Sequence, residues 1–462
     1  MNFNPPNPLV YSDSYKASHW KQYPPGTEYV YSYLESRGGT FPVTLFFGLQ
    51  YILKEYFQGV FFDLYDLREA KRFYDKHMGE GIFNYKGWEH ILNNHGGFLP
   101  LKIKAVPEGL IVPTRNVLLT VENADPHVPW LTNWAETLLV QSWYPITVAS
   151  QSYAIRQLMD DYMARTVGHT EGIEYKLHDF GFRGTSSVES AALGGAAHLV
   201  NFSGTDTPVA IDMAQQYYDA GMIGNSIPAA EHSTITAWGP TAEYDAFKNM
   251  LTQYPNGPVA VVSDSFDIYK ACKAWGTGAL RDLVDQRDGV LVVRPDSGDP
   301  VRTVLKVLEL LGENYIPQQN DMGFNTLPSN IRVIQGDGVD LGKINDILHR
   351  MEQEGWSTEN ITFGMGGALL QKLNRDTNQF AMKAAQVSGT FGTRDVWKSP
   401  VDAPDKNSKQ GRLKLVKSIV DNRFETRPES DQRDDWLNTV FLNGELTQTE
   451  TFDQIRTRAR WS

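Results

Sequence analysis

Cysteine is nearly absent: Cys272 is the only one in 462 residues. One thiol excludes an intrachain disulfide and any cysteine metal cluster, and the scarcity fits a reducing compartment. Long apolar runs are missing too. No stretch approaches the roughly 20 residues a membrane helix needs. The segment Met1 to Val10 is rich in proline and asparagine where a signal peptide would carry an apolar core. Basic residues are fewer than acidic ones, 43 against 55, for a net charge of −12. That excess argues against non-specific binding to nucleic acid or membrane, yet leaves room for a local basic pocket. The sequence also lacks a His-Glu-x-x-His metal motif, a Gly-x-Ser-x-Gly elbow, a Walker loop and a dinucleotide fingerprint. A soluble cytoplasmic protein is the expectation.

What is present is apolar material broken into short segments. Hydrophobic residues make up 41% and charged residues 21%, enough to bury a large core. The length suits about two to four domains, or one barrel with additions. Through the middle of the chain one pattern recurs: a short apolar run, a polar or glycine-rich loop, then an amphipathic helix. Val290 to Val293 is followed by Arg294-Pro-Asp-Ser-Gly-Asp-Pro300 and a helix over Val301 to Leu311, with Asp299 as N-cap and Pro300 at the first helical position. Val259 to Val262 leads to Ser-Asp-Ser and a helix around Ile268 to Trp275. Ile331 to Ile334 leads to Gln-Gly-Asp-Gly, with Asp340 capping a helix around Ile344 to Met351. Ile361 to Phe363 leads to Gly364-Met-Gly-Gly367 and a helix around Leu369. Earlier, Tyr175 to Phe180 precedes a helix from Val188 to Leu199, and Val200 to Phe202 precedes one from Pro208 to Tyr218.

Alternating strands and helices imply parallel βαβ units, and polar residues after each strand imply a β/α barrel whose functional loops share one face. An open doubly wound sheet is the competing architecture. Residues 1–150 and 385–462 read as antiparallel strands, for example Val30 to Leu34, Leu101 to Val106 and Leu110 to Val121. A hairpin is expected at Thr439 to Leu446 on the turn Asn443-Gly444. The expected division is therefore a β-rich domain from 1–150 with 385–462, and a barrel-like catalytic domain from 151–384. Pro400 to Gly411 reads as a polar loop.

The loops after the strands hold Asp179, Phe180, Arg183, Asp206, Glu231, His232, Asp264, Arg294, Asp296, Asp337 and the glycines at 364, 366 and 367. Singly, each is more often a cap or turn residue. Together, on one face, they suggest a site. The Gly364 loop reads as a phosphate cradle at a helix start or as a tight turn. Arg375, two turns into the next helix, and Lys383 either add charge to it or form a solvated helix face. Arg294 with Asp296 reads as a phosphate grip beside an acceptor for ribose hydroxyls or magnesium, or as an ion pair capping the helix. Asp337 offers a further acceptor or a plain turn. His232 follows Glu231, and Asp264 from the next strand could orient its ring for acid–base or phospho-acceptor chemistry.

These segments resemble the nicotinamide phosphoribosyltransferase family. The resemblance rests on Leu9-Val-Tyr-Ser-Asp-Ser-Tyr-Lys16, Gly48-Leu-Gln-Tyr-Ile-Leu53, His178-Asp-Phe-Gly-Phe-Arg-Gly184, Asn201-Phe-Ser-Gly-Thr-Asp206 and Pro228 to Gly239. It also rests on Ser263-Asp-Ser265, Arg294 to Gly298, Gln335 to Asp340 and Gly364 to Lys372. It runs nearly end to end, in order. It implies a type II phosphoribosyltransferase fold: an incomplete α/β barrel beside a β-rich domain, in a homodimer with shared active sites. It implies nicotinamide and phosphoribosyl pyrophosphate as substrates, magnesium (Mg2+) as cofactor, and ATP as co-substrate that phosphorylates His232. By the same resemblance, Phe180 and the second subunit's Tyr15 stack on the pyridine ring and Asp206 accepts from the carboxamide. Arg183 and Arg294 hold phosphates or the amide side of the ring. Asp296 and Asp337 bind ribose hydroxyls or magnesium-linked oxygens. Gly336, Gly366 and Gly367 cradle the 5′-phosphate with Arg375 and Lys383 of the second subunit, and Asp264 supports His232.

Two departures from the family pattern stand out. Ala381 occupies a position where serine is common, so one phosphate hydrogen bond is expected to be missing. The stretch from Arg37 to Phe47 is shorter than in animal relatives, which suits a bacterial or phage origin. Two other functions stay open at this point. One is a nicotinate phosphoribosyltransferase, against which Asp206 argues. The other is a non-catalytic homologue acting as a binding protein, against which His232, Asp206, Arg294 and Arg375 argue.

Overall fold

The computed structural model describes residues 6–402 and 406–461. The first half of the proline- and asparagine-rich segment, 1–5, and residues 403–405 of the expected polar loop lie outside the described residues. The chain forms two compact units. One comprises Gln151–Met213 and Gly221–Leu373; the other comprises Met1–Ser150, Ala214–Ala220 and Asn374–Ser462.

The first of these is built on a six-stranded sheet in the order Gly204–Thr205, Leu177–Asp179, Ile361–Met365, Ile331–Gln335, Leu291–Arg294, Val259–Val262. Every pairing is parallel. The strands are short and almost continuously apolar because both faces are covered; Val259–Val262 is buried throughout. The sheet is an incomplete barrel, so its strand ends open on one edge. Register then decides which loop residues meet. Val262 pairs with Arg294, so Asp264 and Asp296, each two residues further on, come level. The Asp296 backbone N–H donates to Asp264 Oδ2 at 3.1 Å.

Three of these loops carry two aspartates three residues apart, and the structure separates their roles. Asp267, Asp299 and Asp340 cap the helices Ile268–Trp275, Pro300–Asn314 and Leu341–Gln353, each side chain accepting from backbone N–H groups of the first turn. Asp264, Asp296 and Asp337, one step closer to the strand, remain at the strand ends.

The other unit contains a seven-stranded antiparallel sheet in the order Gly392–Asp395, Phe380–Gly389, Thr27–Ser36, Val117–Asn123, Leu101–Ala105, Asn438–Leu442, Glu445–Leu446. The hairpin turn is Asn443-Gly444, both with positive φ (50° and 87°), as a two-residue turn of this hand requires. The unit also holds helices that strand alternation did not reveal, including Leu64–Met78 and Tyr85–His95. The first begins on a reciprocal capping box between Asp63 and Asp66.

Several local expectations need correction. Val200 to Phe202 is not a strand: Val200 caps the helix Val188–Leu199, and the strand is only Gly204–Thr205. Leu110 to Val121 divides into Ile111–Pro113 and Val117–Asn123, with Arg115 at φ 67° in the turn between them. The helix after the Gly364 loop ends at Leu370. Arg375 is therefore in a turn, because the Asn374 side chain accepts from the N–H groups of Asp376 and Thr377 and closes the chain there. Lys383 lies on a strand, Phe380–Gly389, which pairs with Thr27–Ser36.

Candidate active site

The strand-end loops of the parallel sheet surround a cleft of about 860 Å³. Of the residues singled out from the sequence, Phe180, Arg183, Asp206, Glu231, His232, Arg294, Asp296, Gly336, Asp337, Gly366 and Gly367 line it. Phe182, Gly184 and Ser233 line it as well. They sit inside the quoted motifs, and their signal was position in the same loops rather than residue type.

His232 stands at the start of the short helix His232–Thr236. Its Nε2 lies 3.0 Å from Asp264 Oδ1, and its Nδ1 lies 3.9 Å from Asp296 Oδ2. The Asp264 side chain is 2% exposed and the His232 side chain 47%. A buried carboxylate fixed by the Asp296 N–H thus holds one ring nitrogen, while the other lies on the Asp296 side of a half-exposed ring. An N–H at Nε2 directed to Asp264 sets the tautomer, so Nδ1 carries the lone pair.

Arg294 binds its own loop through a bidentate pair, Nε to Asp296 Oδ1 at 3.0 Å and Nη2 to Asp296 Oδ2 at 2.8 Å. The same guanidinium lies 5.6 Å from the centroid of the Phe180 ring. The ring rests against backbone: a Cβ at Gly364 would come within 2.0 Å of Phe180 Cε2, and one at Gly336 within 3.4 Å. Those two glycines make the slot that sets the ring's orientation. A Cβ at Gly367 would meet nothing within 4 Å, so that side of the loop is open to a ligand. Asp206 is anchored from its backbone, its N–H donating to the Asp179 carbonyl at 2.9 Å. Its carboxylate accepts from the Ser226 hydroxyl. Beneath it, burial pushes the Asp179 carboxyl up to about 6, although Gly181 N–H donates to Oδ1 at 2.7 Å.

The family model described as the nicotinate phosphoribosyltransferase family matches residues 175–445, and that of the nicotinamide phosphoribosyltransferase N-terminal domain matches residues 7–103. A relative named nicotinamide phosphoribosyltransferase, from Xanthomonas campestris pv. campestris (strain 8004), is 47% identical over 463 residues. The match spans 98% of this chain and 98% of the relative. The chain belongs to the nicotinamide phosphoribosyltransferase family. Two solved structures share the fold at low identity. Nicotinate-nucleotide pyrophosphorylase from Pyrococcus furiosus has a TM-score of 0.63 at 14% identity, over 100% of this chain and 97% of that one. Human nicotinic acid phosphoribosyltransferase has a TM-score of 0.55 at 16% identity, over 98% and 93%. The fold is that of a type II phosphoribosyltransferase, an incomplete barrel with a separate β-rich sheet. Among the described residues, no helix is long and apolar enough to cross a membrane.

Three family-motif residues belong to the other unit. Tyr15 is 58% exposed on the 3₁₀ helix Ser14–Lys21, edge-on to His19. Arg375 is exposed in its turn. Lys383 shares a strand face with Ala381, since strand side chains alternate. Burial lowers the Lys383 pKa, and the positive charges of Arg37, Lys398 and Arg375 push the same way. Arg37 and Lys398 thus join this cationic group. They escaped notice in the sequence because neither belongs to the loops that follow the parallel strands.

Proposed function

We propose that the chain joins nicotinamide to phosphoribosyl pyrophosphate, giving nicotinamide mononucleotide and pyrophosphate, and that ATP assists by phosphorylating His232. The observation that carries this reading is the convergence, in one cleft, of an aromatic face, two arginines, ribose-type acceptors and an Asp264-oriented histidine. The pyridine nitrogen attacks the anomeric carbon. The bond from that carbon to the pyrophosphate oxygen breaks, and its electron pair leaves with pyrophosphate. A neutral pyridine becomes a pyridinium, so no proton has to move and no general base is required. The protein's work is to orient, to neutralise the leaving polyanion and to exclude water.

Phe180 supplies one face for the ring, and Tyr15 from a second copy of the chain supplies the other. Asp206 accepts from the carboxamide nitrogen. Arg183 and Arg294 meet phosphate oxygens or the amide side of the ring. Asp296 and Asp337 take ribose hydroxyls or the oxygens linked to magnesium. Their carboxylate oxygens are the hard donors that ion accepts, usually with several waters retained, so the residues present fit it. Held there, the ion would supply positive charge against the departing pyrophosphate. Gly336, Gly366 and Gly367 admit the 5′-phosphate, with Arg375 and Lys383 contributed by the second copy in a homodimer.

In the coupled step His232 Nδ1 attacks the γ-phosphorus of ATP. The bond to the bridging oxygen breaks, ADP leaves with the electron pair, and Asp264 stabilises the charged ring through Nε2. Water later cleaves the phosphorus–nitrogen bond, releasing inorganic phosphate. ATP treatment should place acid-labile, base-stable phosphate on His232. His232→Ala should abolish ATP hydrolysis while some phosphoribosyl transfer survives. An ATPase unaffected by this substitution, or phosphate on another residue, would overturn the coupling.

A further inference from the structure

Far along the chain from the cleft loops, three of the ten histidines converge on one carboxylate. His90 Nε2 and His95 Nε2 both lie 2.7 Å from Asp125 Oδ2. His127 Nδ1 lies 2.9 Å from Asp125 Oδ1. One ligand atom each from His90, His95 and Asp125 lies within 4.8 Å of the other two. The histidines at 90 and 95 belong to the helix Tyr85–His95, while Asp125 and His127 follow the strand Val117–Asn123, all within one unit.

We propose that His90, His95 and Asp125 form a binding site for a divalent cation of the zinc class, separate from any magnesium at the cleft. Two imidazoles and a carboxylate are the donors that zinc, cobalt and nickel take, whereas magnesium prefers oxygen. Zinc–ligand bonds of about 2.0–2.1 Å in a tetrahedron require ligand atoms roughly 3.3 Å apart. The two nitrogen–oxygen separations, 2.7 Å each, open by about 0.6 Å and the nitrogen–nitrogen separation, within 4.8 Å, settles to the same value, both by side-chain rotation. The cluster is reachable from solvent: His90 and His95 side chains are each 26% exposed and Asp125 11%.

The fourth position falls to water or to His127. That ring lies 4.8 Å from the His90 ring, and its side chain is 71% exposed, so it has freedom to swing. The Asn94 side-chain nitrogen lies 3.1 Å from His90 Nδ1 and donates to the His90 backbone carbonyl at 3.0 Å, which holds that ring in place. Asp125 Oδ1 also accepts from the His127 backbone N–H at 2.8 Å, which fixes the carboxylate between the helix end and the turn. An ion here ties the end of the Tyr85–His95 helix to the turn after the Val117–Asn123 strand.

The full-length chain, stripped with a chelator and titrated with cobalt(II) as the spectroscopic probe, tests this. Binding of one equivalent per chain, with the intense visible bands of a four-coordinate ion and displacement by zinc, is expected. The double substitution His90→Gln with His95→Gln keeps side chains able to donate to Asp125 but removes both nitrogen ligands. It should abolish the bands and the zinc-dependent rise in melting temperature, with phosphoribosyl transfer unchanged. His232→Ala should keep both signals. Absence of binding at micromolar metal, or bands that persist in the double variant and vanish in His232→Ala, overturns the site. Should the double variant fail to fold, zinc-edge X-ray absorption on the wild type decides. Scattering from at least two imidazoles supports the site, and an all-oxygen shell refutes it.

Discussion

Asp206 should select nicotinamide over nicotinate, and the structure allows the size of the effect to be bounded. The residue is fixed at both ends, its N–H to the Asp179 carbonyl and its carboxylate from Ser226, so its charge is held at a defined place in the cleft. Nicotinamide presents an NH₂ there, whereas nicotinate presents a second carboxylate. Two like charges about 4 Å apart repel by roughly 4 kcal/mol at an effective dielectric of about 20, and by about 1 kcal/mol in bulk water. Asp206 is exposed without substrate, and Arg183 and Arg294 share the cleft, so the effect falls between those limits. At ~1.4 kcal/mol per factor of ten, discrimination should lie between about fivefold and a thousandfold. Asp206→Asn removes the charge and keeps an oxygen for Ser226. It should lower kcat/KM for nicotinamide and raise it for nicotinate, measured by product formation under saturating phosphoribosyl pyrophosphate. An unchanged ratio in a folded variant would refute the argument.

Gly364→Ala puts a methyl where Phe180 Cε2 lies 2.0 Å away, so the ring must leave its slot. Aromatic stacking is worth roughly 0.5–1.5 kcal/mol, and KM for nicotinamide should rise up to about tenfold; an unchanged KM counts against Phe180 as the stacking face. Burial lowers the Lys176 ammonium to about 7, with Arg332 pushing the same way, although three carbonyls accept from it at 3.0–3.2 Å. A lysine depressed from 10.5 adds stability as pH rises from about 7 toward 10.5 and loses it as pH falls through 7. Lys176→Met should flatten that rise in Tm, and equal slopes in both proteins would contradict the assignment. Mixing Tyr15→Ala chains with His232→Ala chains, each defective in the ATP-coupled reaction, should restore part of the coupled activity if sites are shared between two copies; no recovery in verified mixed dimers would sink the shared site.

The parts of the fold carried by local chemistry were readable in advance. Asp299 with Pro300 marked a helix start, and the side chain does cap Arg302 N–H. Asn443-Gly444 marked a hairpin, and both residues take the positive φ it needs. The parallel sheet followed from apolar runs alternating with helical spacing, and its incompleteness from the family resemblance. Other features depended on contacts that spacing does not encode. Leu370 to Arg375 has helix-forming composition, but the Asn374 side chain competes for backbone N–H groups and ends the helix. Val200 to Phe202 is apolar because it is buried at the end of a helix, not because it pairs. At the cleft, the residues could be named from their loops, whereas their partners could not. The Asp264–Asp296 backbone bond depends on strand register, and the Phe180 slot depends on how closely Gly364 and Gly336 approach the ring.

The most direct test of the central claim is product formation by the purified chain with phosphoribosyl pyrophosphate and magnesium, nicotinamide and nicotinate being supplied side by side with and without ATP. The account predicts nicotinamide mononucleotide as the main product, with faster or more complete conversion when ATP is hydrolysed. A preference for nicotinate, or no nucleotide from either base in a folded protein, would contradict it.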